Sequence, residues 1–261
     1  MTSRSPLSLN GLRMLGLAAA VAAGVGGCRG PTPSPTPTKQ GRDLEALTSD
    51  LPDPAIPKFD VAPPGPTKRP NRSDPPKGFV VLDAIETTIR IDMRYATADN
   101  FTGAPLPGYL PGSAWLTEDA ADALAKVQHD LASEGLGLLV FDAYRPARAT
   151  KAMVAWAEAT KHTQLLSDGY IARVSNHNRG HTLDLTLVSL GSGKELDMGT
   201  PWDTFSEASH YASATGKPMS NRRRLRVAMK KRGFVPYDKE WWHFSLRVET
   251  DPPTLDVPYG T

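Results

Sequence analysis

The segment SNHNRGHTLDLTL at residues 175–187 places residue types that bind metals beside a strand pattern that could present them. His177 lies in a stretch rich in Asn and Gly, and Asp184 lies in a run where polar residues alternate with leucines. Successive strand side chains point to opposite faces, so the leucines can pack in a core while Asp184 points to the other side. Alone, the pattern also fits a polar loop before an amphipathic strand.

A second segment, KEWWHFSL at residues 239–246, brings an acid and a histidine together. His243 and Trp241 are predicted to share one face of a strand, and Glu240 precedes His243 by three residues. A Glu beside a zinc-bound His can take the proton from a metal-bound water. The alternative is an aromatic core strand that carries a surface Glu.

The third segment is VFDAYRP at residues 140–146. Asp142 and Tyr144 are predicted to project to one side of a strand end, and Arg145 to the other. Arginine supplies a permanent charge and a planar fork of donors, which suit a developing oxyanion or a carboxylate. A salt bridge at a strand–helix junction is the alternative.

Composition narrows the chemistry that these segments could perform. The 261 residues include a single cysteine, Cys28, which excludes disulfide scaffolds and Cys-based zinc sites from the folded part. A zinc site must then draw on His, Asp and Glu. The net charge of +2 gives no reason to expect a nucleic-acid partner. The Arg- and Lys-rich run at 222–232 is interpreted as a solvated helix face.

The elements that must position these residues follow from periodicity and turn signals. Helices are predicted from Thr117 to Gly135, after Pro146, and over 222–232. The predicted strands cover residues 79–85, 88–95, 137–141, 182–188 and 242–248. Because strands and helices do not alternate regularly, we expect an α+β fold: a single compact domain with a largely antiparallel sheet flanked by helices.

The N-terminal residues 1–28 predict an export signal with a lipobox. Two arginines precede an apolar run over 14–25, which is too short to span a bilayer, where about 20 residues are needed. The run ends in Gly26-Gly27 directly before Cys28, which resembles a bacterial lipobox in which Cys28 is lipidated. An ordinary signal peptide with an incidental cysteine is the alternative. The expected location is the cell envelope, with a lipid anchor to a membrane as the only membrane contact and the protein facing the periplasm or the exterior.

Residues 29–77 are rich in proline and predict an extended linker. The folded domain is expected to occupy residues 78–261. The chain is thereby interpreted as an anchor, a spacer and one working domain.

Together these segments resemble the zinc D-alanyl-D-alanine dipeptidases, the family that includes the vancomycin-resistance dipeptidases. The resemblance runs from about Val80 to Leu246. Besides the three segments above, it includes RYATADNFTG (94–103), ELDMGTPWDTFSEASH (195–210) and NRRRLRVAMKKRGF (221–234). It implies a zinc site in a cleft, hydrolysis of the dipeptide D-Ala-D-Ala, and a small dipeptide as the partner.

The resemblance also implies roles for individual residues. One Zn²⁺ per chain is expected, with three protein ligands: His177, Asp184 and His243. Glu240 is expected to act as general base and then as general acid, and Arg145 to stabilise the oxyanion.

Four further residues are expected to contact the substrate: Tyr95, Tyr109, Ser175 and Asp203. Asp203 would hold the ammonium of the dipeptide, and Ser175 and Tyr109 its carboxylate. His181 is not expected to be a ligand, and His210 is expected to stabilise the site or its loop.

Two other functions stay open. A zinc D,D-carboxypeptidase that trims peptidoglycan stem peptides fits an envelope location. A non-catalytic, lipid-anchored protein that binds the cell wall through the same cleft is the second alternative.

Overall fold

The computed structural model describes residues 73–260. The predicted signal peptide and nearly all of the predicted linker lie outside the described residues. Seven strands are present there: β1 Phe79–Val81, β2 Arg90–Ile91, β3 Trp115–Thr117, β4 Leu136–Asp142, β5 Thr182–Ser189, β6 Phe234–Pro236 and β7 His243–Leu246. The α-helices are α1 Leu82–Ile85, α2 Glu118–Ala132, α3 Ala147–Ala159, α4 Gln164–Ser167 and α5 Gly216–Lys231.

The main sheet has five strands in the order β2-β4-β5-β7-β6. The β2–β4 pair is parallel, and the other three pairs are antiparallel. Strands β1 and β3 form a separate antiparallel pair. Helix α2 packs against β4 and α5, and α5 also contacts β5. The predicted α+β fold with a largely antiparallel sheet is confirmed.

The predicted helices agree with the observed ones because their signals are local. Thr117 occupies the N-cap position of α2, and Leu124, Val127 and Leu131 on its apolar face are fully buried. Helix α3 begins directly after Pro146. Helix α5 starts six residues before the predicted position, and its Leu225 is fully buried.

Two predicted strands are much shorter than expected. The strand predicted over 79–85 ends at Val81, where the chain turns into the short helix α1. The strand predicted over 88–95 is limited to Arg90–Ile91, and a 3-10 turn follows at Arg94–Ala96. That turn places Tyr95 in the interior, where it is almost fully buried.

The two longest strands, β4 and β5, are buried along almost their whole length. Leu183, Leu185 and Leu187 are fully buried, as their alternation predicts. Asp184 is also buried, so the opposite face of β5 is not a solvent face. In the part of the chain that the structure describes, no helix is long and apolar enough to cross a membrane.

Candidate metal centre and substrate cleft

One rung of the main sheet brings three polar residues side by side. Asp142 at the end of β4 pairs with Asp184 of β5, and Asp184 pairs with His243 at the start of β7. Directly paired residues of neighbouring strands point to the same face of a sheet. The rung therefore delivers two carboxylates and an imidazole to one place.

His177 reaches the same place from a 3-10 turn, Asn176–Arg179, that precedes β5. Ser175 caps this turn: its Oγ accepts a hydrogen bond from His177 N at 3.3 Å, and Asn178 Oδ1 accepts one from Ser175 N. Gly180 ends the turn in the left-handed region, at φ 76°. The cap and the glycine hold the His177 ring toward the sheet.

The three predicted zinc ligands form a compact group of donor atoms. His177 Nε2 lies 3.3 Å from His243 Nδ1 and 3.3 Å from Asp184 Oδ1, and His243 Nδ1 lies 3.1 Å from Asp184 Oδ1. Ligands at 2.0–2.1 Å from a tetrahedral ion lie about 3.3 Å from one another. His177, Asp184 and His243 are also the one group of His, Cys, Asp and Glu in residues 73–260 whose ligand atoms converge on a metal position.

The hydrogen bonds of His177 indicate why a cation fits there. Its Nδ1 lies 2.8 Å from the carbonyl oxygen of Ala143, so Nδ1 carries a proton and donates it. In the neutral ring Nε2 then presents a lone pair to a carboxylate oxygen of Asp184. Two acceptors face each other, and a metal ion resolves that conflict. A ring N–H that donates to a carbonyl is typical of metal-binding histidines.

The electrostatics of the group favour a charged Asp184 and a neutral His243. Burial opposes the charge on Asp184, but the imidazoles of His177 and His243 beside it hold its pKa well below the ordinary value. Burial lowers the pKa of His243. Trp202 Nε1 lies 3.4 Å from Asp184 Oδ2, the oxygen that does not face the histidines. An ionised Asp184 and a neutral His243 are the forms that bind a metal.

Glu240 lies beside the donor atoms without being one of them. Its Oε2 is 3.6 Å from His243 Nδ1, and the residue is 7% exposed. Burial, reinforced by the charges of Asp184 and Asp203, raises the pKa of Glu240 well above its usual range. A carboxyl group with a raised pKa in a cleft is suited to accept and return a proton.

Arg145 and Asp142 lie on the same side of the chain, which corrects the prediction that they project to opposite sides. Arg145 Nη2 and Nε donate to Asp142 Oδ2 at 2.7 and 3.0 Å. Strand alternation ends at Asp142, and the turn that follows brings the guanidinium back over the carboxylate. Tyr144 instead stacks on Trp115, with ring centroids 6.0 Å apart. The predicted salt bridge is present, and Arg145 also lines the cleft.

Asp203, which is predicted to hold the substrate ammonium, lies in contact with Tyr95, which is predicted to line the substrate site. Tyr95 donates a hydrogen bond to Asp203 Oδ2 at 2.7 Å, and both residues line the cleft. Asp203 adopts a left-handed backbone, at φ 58°, which is uncommon outside glycine. Burial raises the pKa of Asp203 well above its ordinary value, and the charges of Asp184 and Asp142 add to that rise. A cation beside Asp203 would relieve both effects.

The two residues predicted to bind the substrate carboxylate differ in position. Ser175 lines the cleft. Tyr109 is not among the lining residues, and its hydroxyl donates to Asp142 Oδ1 at 2.7 Å. The structure thus places Tyr109 behind the Arg145–Asp142 pair.

Trp241 does not share the position of His243, which corrects the predicted strand face. Strand β7 begins at His243, so alternation does not extend back to the tryptophans. Trp242 lines the cleft, whereas Trp241 Nε1 donates to Thr200 Oγ1 at 2.9 Å.

His181 and His210 lie outside the donor group. His181 is buried, and burial lowers its pKa. His210 Nε2 lies 2.9 Å from the hydroxyl of Tyr170, which lines the cleft. This contact agrees with the predicted role of His210 in supporting the site.

Sequence reasoning missed an aromatic wall of the cleft. Phe205 lies between two other rings, 5.0 Å from Phe101 and 5.7 Å from Tyr170 between centroids. These residues carry no chemistry of their own, and only the neighbourhood of Phe205 to Asp203 could have indicated them. The whole cleft has a volume of about 290 Å³, at the small end of ligand sites.

Known proteins with similar sequences share one description. A family model described as D-ala-D-ala dipeptidase, of the M15 peptidases, matches residues 76–259. A D-alanyl-D-alanine dipeptidase of Enterococcus faecium is 40% identical over 190 residues, 67% of this chain and 94% of its own. One from Streptomyces coelicolor is 36% identical over 69% of this chain and 97% of its own. One from Escherichia coli is 38% identical over 68% and 89%.

Proposed function

The chain belongs to the D-Ala-D-Ala dipeptidase family of the M15 peptidases, and we propose that it hydrolyses D-alanyl-D-alanine to two D-alanines with one zinc ion. The observation that carries this proposal is the group formed by His177, Asp184 and His243, with Glu240 beside it. Three protein ligands leave one tetrahedral position open, as a catalytic zinc site requires.

The ligands would hold zinc through His177 Nε2, His243 Nδ1 and a carboxylate oxygen of Asp184. When bound, zinc polarises the peptide carbonyl and lowers the pKa of a water to about 7. The Trp202 N–H restrains the second oxygen of Asp184, and the Ala143 carbonyl fixes the proton on His177 Nδ1.

Glu240 moves the proton. Its carboxylate takes a proton from the attacking water and passes it to the nitrogen of the leaving D-alanine. Burial raises its pKa well above the usual range, which favours the protonated form that donates to the leaving group. No covalent bond to the protein is needed.

Arg145 provides the positive charge for the oxyanion. Nε and one N–H of Nη2 are used by Asp142, and the fork retains N–H groups on both terminal nitrogens for the carbonyl oxygen. Because Asp142 restrains the guanidinium, its orientation does not have to change during the reaction.

Asp203 and the size of the cleft favour a free dipeptide. The carboxylate of Asp203 pairs with the substrate ammonium, and Tyr95 orients it by donating to Oδ2. A longer stem peptide has an amide in place of that ammonium, which would leave a buried carboxylate without a counter-charge. The small volume acts in the same direction.

The experiment offers zinc-loaded full-length protein D-Ala-D-Ala beside a stem pentapeptide that ends in D-Ala-D-Ala. We expect D-alanine release from the dipeptide alone, loss of activity with a chelator, and recovery with zinc. Release from the pentapeptide alone would identify a D,D-carboxypeptidase. A folded, zinc-loaded protein that cleaves neither would leave the wall-binding alternative.

We also propose that the enzyme is exported and anchored to a membrane through a lipid on Cys28. The support comes from the sequence, in which the only cysteine directly follows a short apolar run and two glycines. The Pro-rich residues 29–77 would separate the anchor from the catalytic domain. Such an enzyme would act on D-Ala-D-Ala outside the cytoplasm, in the cell envelope.

A further inference from the structure

We propose that Asp142 is a positioning residue that holds the metal ligand His177 and the cation Arg145 in one arrangement. The inference rests on the proposed function, because it explains how two of the assigned groups are aligned. Asp142 does not reach the reacting atoms, and it is fully buried.

A β-bulge places Asp142 in the metal rung. Most of the β4–β5 pair keeps a single register, in which Leu138 pairs with Leu187 and Val140 pairs with Leu185. If that register continued, Asp142 would lie opposite Leu183, on the apolar face. The register instead shifts by one residue between Val140 and Asp142, so Asp142 pairs with Asp184. A shift of one residue moves a side chain to the other face of the sheet.

Phe141 is the extra residue of this bulge, and it is well packed. Its ring lies 4.2 Å from the Arg94 guanidinium carbon and 5.5 Å from the ring of Trp202. Trp202 in turn approaches Asp184 through its Nε1. Trp202 therefore contacts both the bulge residue and a metal ligand.

Both oxygens of Asp142 are used to position other groups. Oδ2 accepts the two Arg145 bonds and lies 3.3 Å from His177 Nδ1. Oδ1 accepts bonds from Tyr109 OH and from Ala143 N at 2.7 and 2.9 Å. The Ala143 carbonyl oxygen in turn accepts a hydrogen bond from His177 Nδ1. One carboxylate thus aligns the imidazole through the Ala143 peptide and the guanidinium directly.

The arrangement also explains why Tyr109 lies behind the cleft. Its hydroxyl donates to Oδ1 of Asp142, the oxygen that Arg145 does not bind. We assign it the role of restraining Asp142. A carboxylate with fixed donors on both oxygens cannot rotate freely, so the angle of the His177 ring is also restrained.

The test compares D142N with D130N in full-length protein. The first variant keeps the shape of Asp142 and loses its charge and one acceptor. Asp130 also accepts two bonds from one arginine, Arg232, at 2.7 and 2.8 Å, and it is not among the residues that line the cleft. The measurement is the dissociation constant of zinc by competition with a chelator, which requires no substrate.

We expect D142N to weaken zinc binding about 10- to 100-fold, the usual effect of removing a partner of a ligand, and to shift the visible spectrum of the Co²⁺-substituted protein. D130N should change neither. A folded D142N with the zinc affinity and Co²⁺ spectrum of the wild type overturns the proposal. If D142N does not fold, Y109F replaces it, and its zinc affinity should fall about 3- to 10-fold, as expected for one hydrogen bond; unchanged affinity overturns the proposal.

These results are independent of the proposed reaction. A wild-type protein that binds zinc but does not cleave D-Ala-D-Ala would contradict the proposed function and leave the role of Asp142 in zinc binding intact. Conversely, an active wild type beside a D142N variant with normal zinc affinity would contradict only the positioning role.

Discussion

Glu240 lies next to a metal ligand but is proposed to transfer protons and not to bind zinc. Measurements of zinc content and of kcat distinguish these two roles. Glu240→Gln keeps the shape of the side chain and removes its basicity. We expect it to retain about one zinc per chain and to lose roughly 10²- to 10⁴-fold in kcat, the range for general acid–base catalysis. Zinc content by atomic absorption and steady-state kinetics test both halves of the prediction.

Histidine variants provide the controls for Glu240→Gln. His177→Ala should lose zinc and activity together, because His177 Nε2 faces the other two donor atoms. His181→Ala, four residues along the chain, should keep its zinc, because His181 lies outside the donor group. Near-normal turnover by folded, zinc-loaded Glu240→Gln would contradict the assignment of Glu240.

Asp203 should make the free energy of unfolding of the metal-free protein depend on pH. Burial raises its folded-state pKa above the ordinary 3.8. At pH values between 3.8 and the raised folded-state pKa, the folded protein binds a proton that the unfolded chain has released. Asp203 therefore lowers the free energy of unfolding increasingly as pH rises through this range. Asp203→Asn removes this penalty. The gain in the free energy of unfolding of Asp203→Asn over the wild type should grow as pH rises above 4, by at most about 1.4 kcal/mol per pH unit.

Urea unfolding at several pH values measures this difference, with Asp238→Asn as the control because Asp238 is exposed and pairs with Arg226 at the surface. The same Asp203→Asn variant should raise KM for D-Ala-D-Ala, since the ammonium loses its partner. A pH-independent stability difference would show that Asp203 is charged in the folded state throughout.

At the residue scale, the clustering of His177, Asp184, His243 and Glu240 could be predicted because their motifs are contiguous and specific. The position of Arg145 relative to Asp142 could not, because strand alternation was extended past the point where β4 ends. The sequence indicated a salt bridge near Asp142 but not its position beside the metal ligands. Its role depends on a one-residue shift in strand pairing. The register between two strands depends on both strands together, so neither strand's sequence predicts it alone.

Among the structural elements, the 3-10 turn before β5 controls the position of His177, and Gly180 is its most constrained residue. A Cβ at Gly180 would lie 2.0 Å from Phe79 Cε1, and the backbone is left-handed at φ 76°. Gly180→Ala should therefore cost both backbone strain and a steric clash, together about 2–5 kcal/mol of stability. We also expect it to weaken zinc binding, because the turn must move away from Phe79.

Gly193→Ala is the matched control for Gly180→Ala. Gly193 has a similar φ of 68°, but a Cβ there meets no atom within 4 Å. Its substitution should cost only the backbone strain, about 1 kcal/mol or slightly more, and should leave zinc affinity unchanged. Urea unfolding and chelator competition on both variants separate the two contributions. Equal losses of stability would mean that Phe79 can move aside.

The helices could be predicted better than the strands, for a physical reason. Helix α2 is encoded by a local period and by its own N-terminal and C-terminal residues, including Gly135 at φ 71°. Strands β1 and β2 are short because their partners end: β1 pairs only with the three residues of β3, and β2 with two residues of β4. The apolar pattern continues beyond those partners, so it overestimates the strands.

For the whole molecule, the pairing of the strands in the main sheet also builds the cleft. The three central strands converge on the Asp142–Asp184–His243 rung, and the connecting turns add His177 and Arg145 to it. The residues that line the cleft all lie between Tyr95 and His243. Their separation from the N-terminal segment leads to a prediction for Cys28.

Cys28→Ser should separate location from catalysis. Cys28 lies outside the described residues, and the prediction follows from its place after the apolar run 14–25. In a bacterial host the wild type should incorporate a fatty-acid probe and sediment with membranes, whereas Cys28→Ser should do neither. The kcat/KM of the two purified proteins should agree, because the residues of the cleft all lie between Tyr95 and His243.

A wild type that is unlabelled and recovered free of membranes would contradict the proposed lipid anchor and leave the proposed enzymatic function unaffected. A Cys28→Ser variant with reduced kcat/KM in detergent would instead indicate that the anchor acts on the cleft.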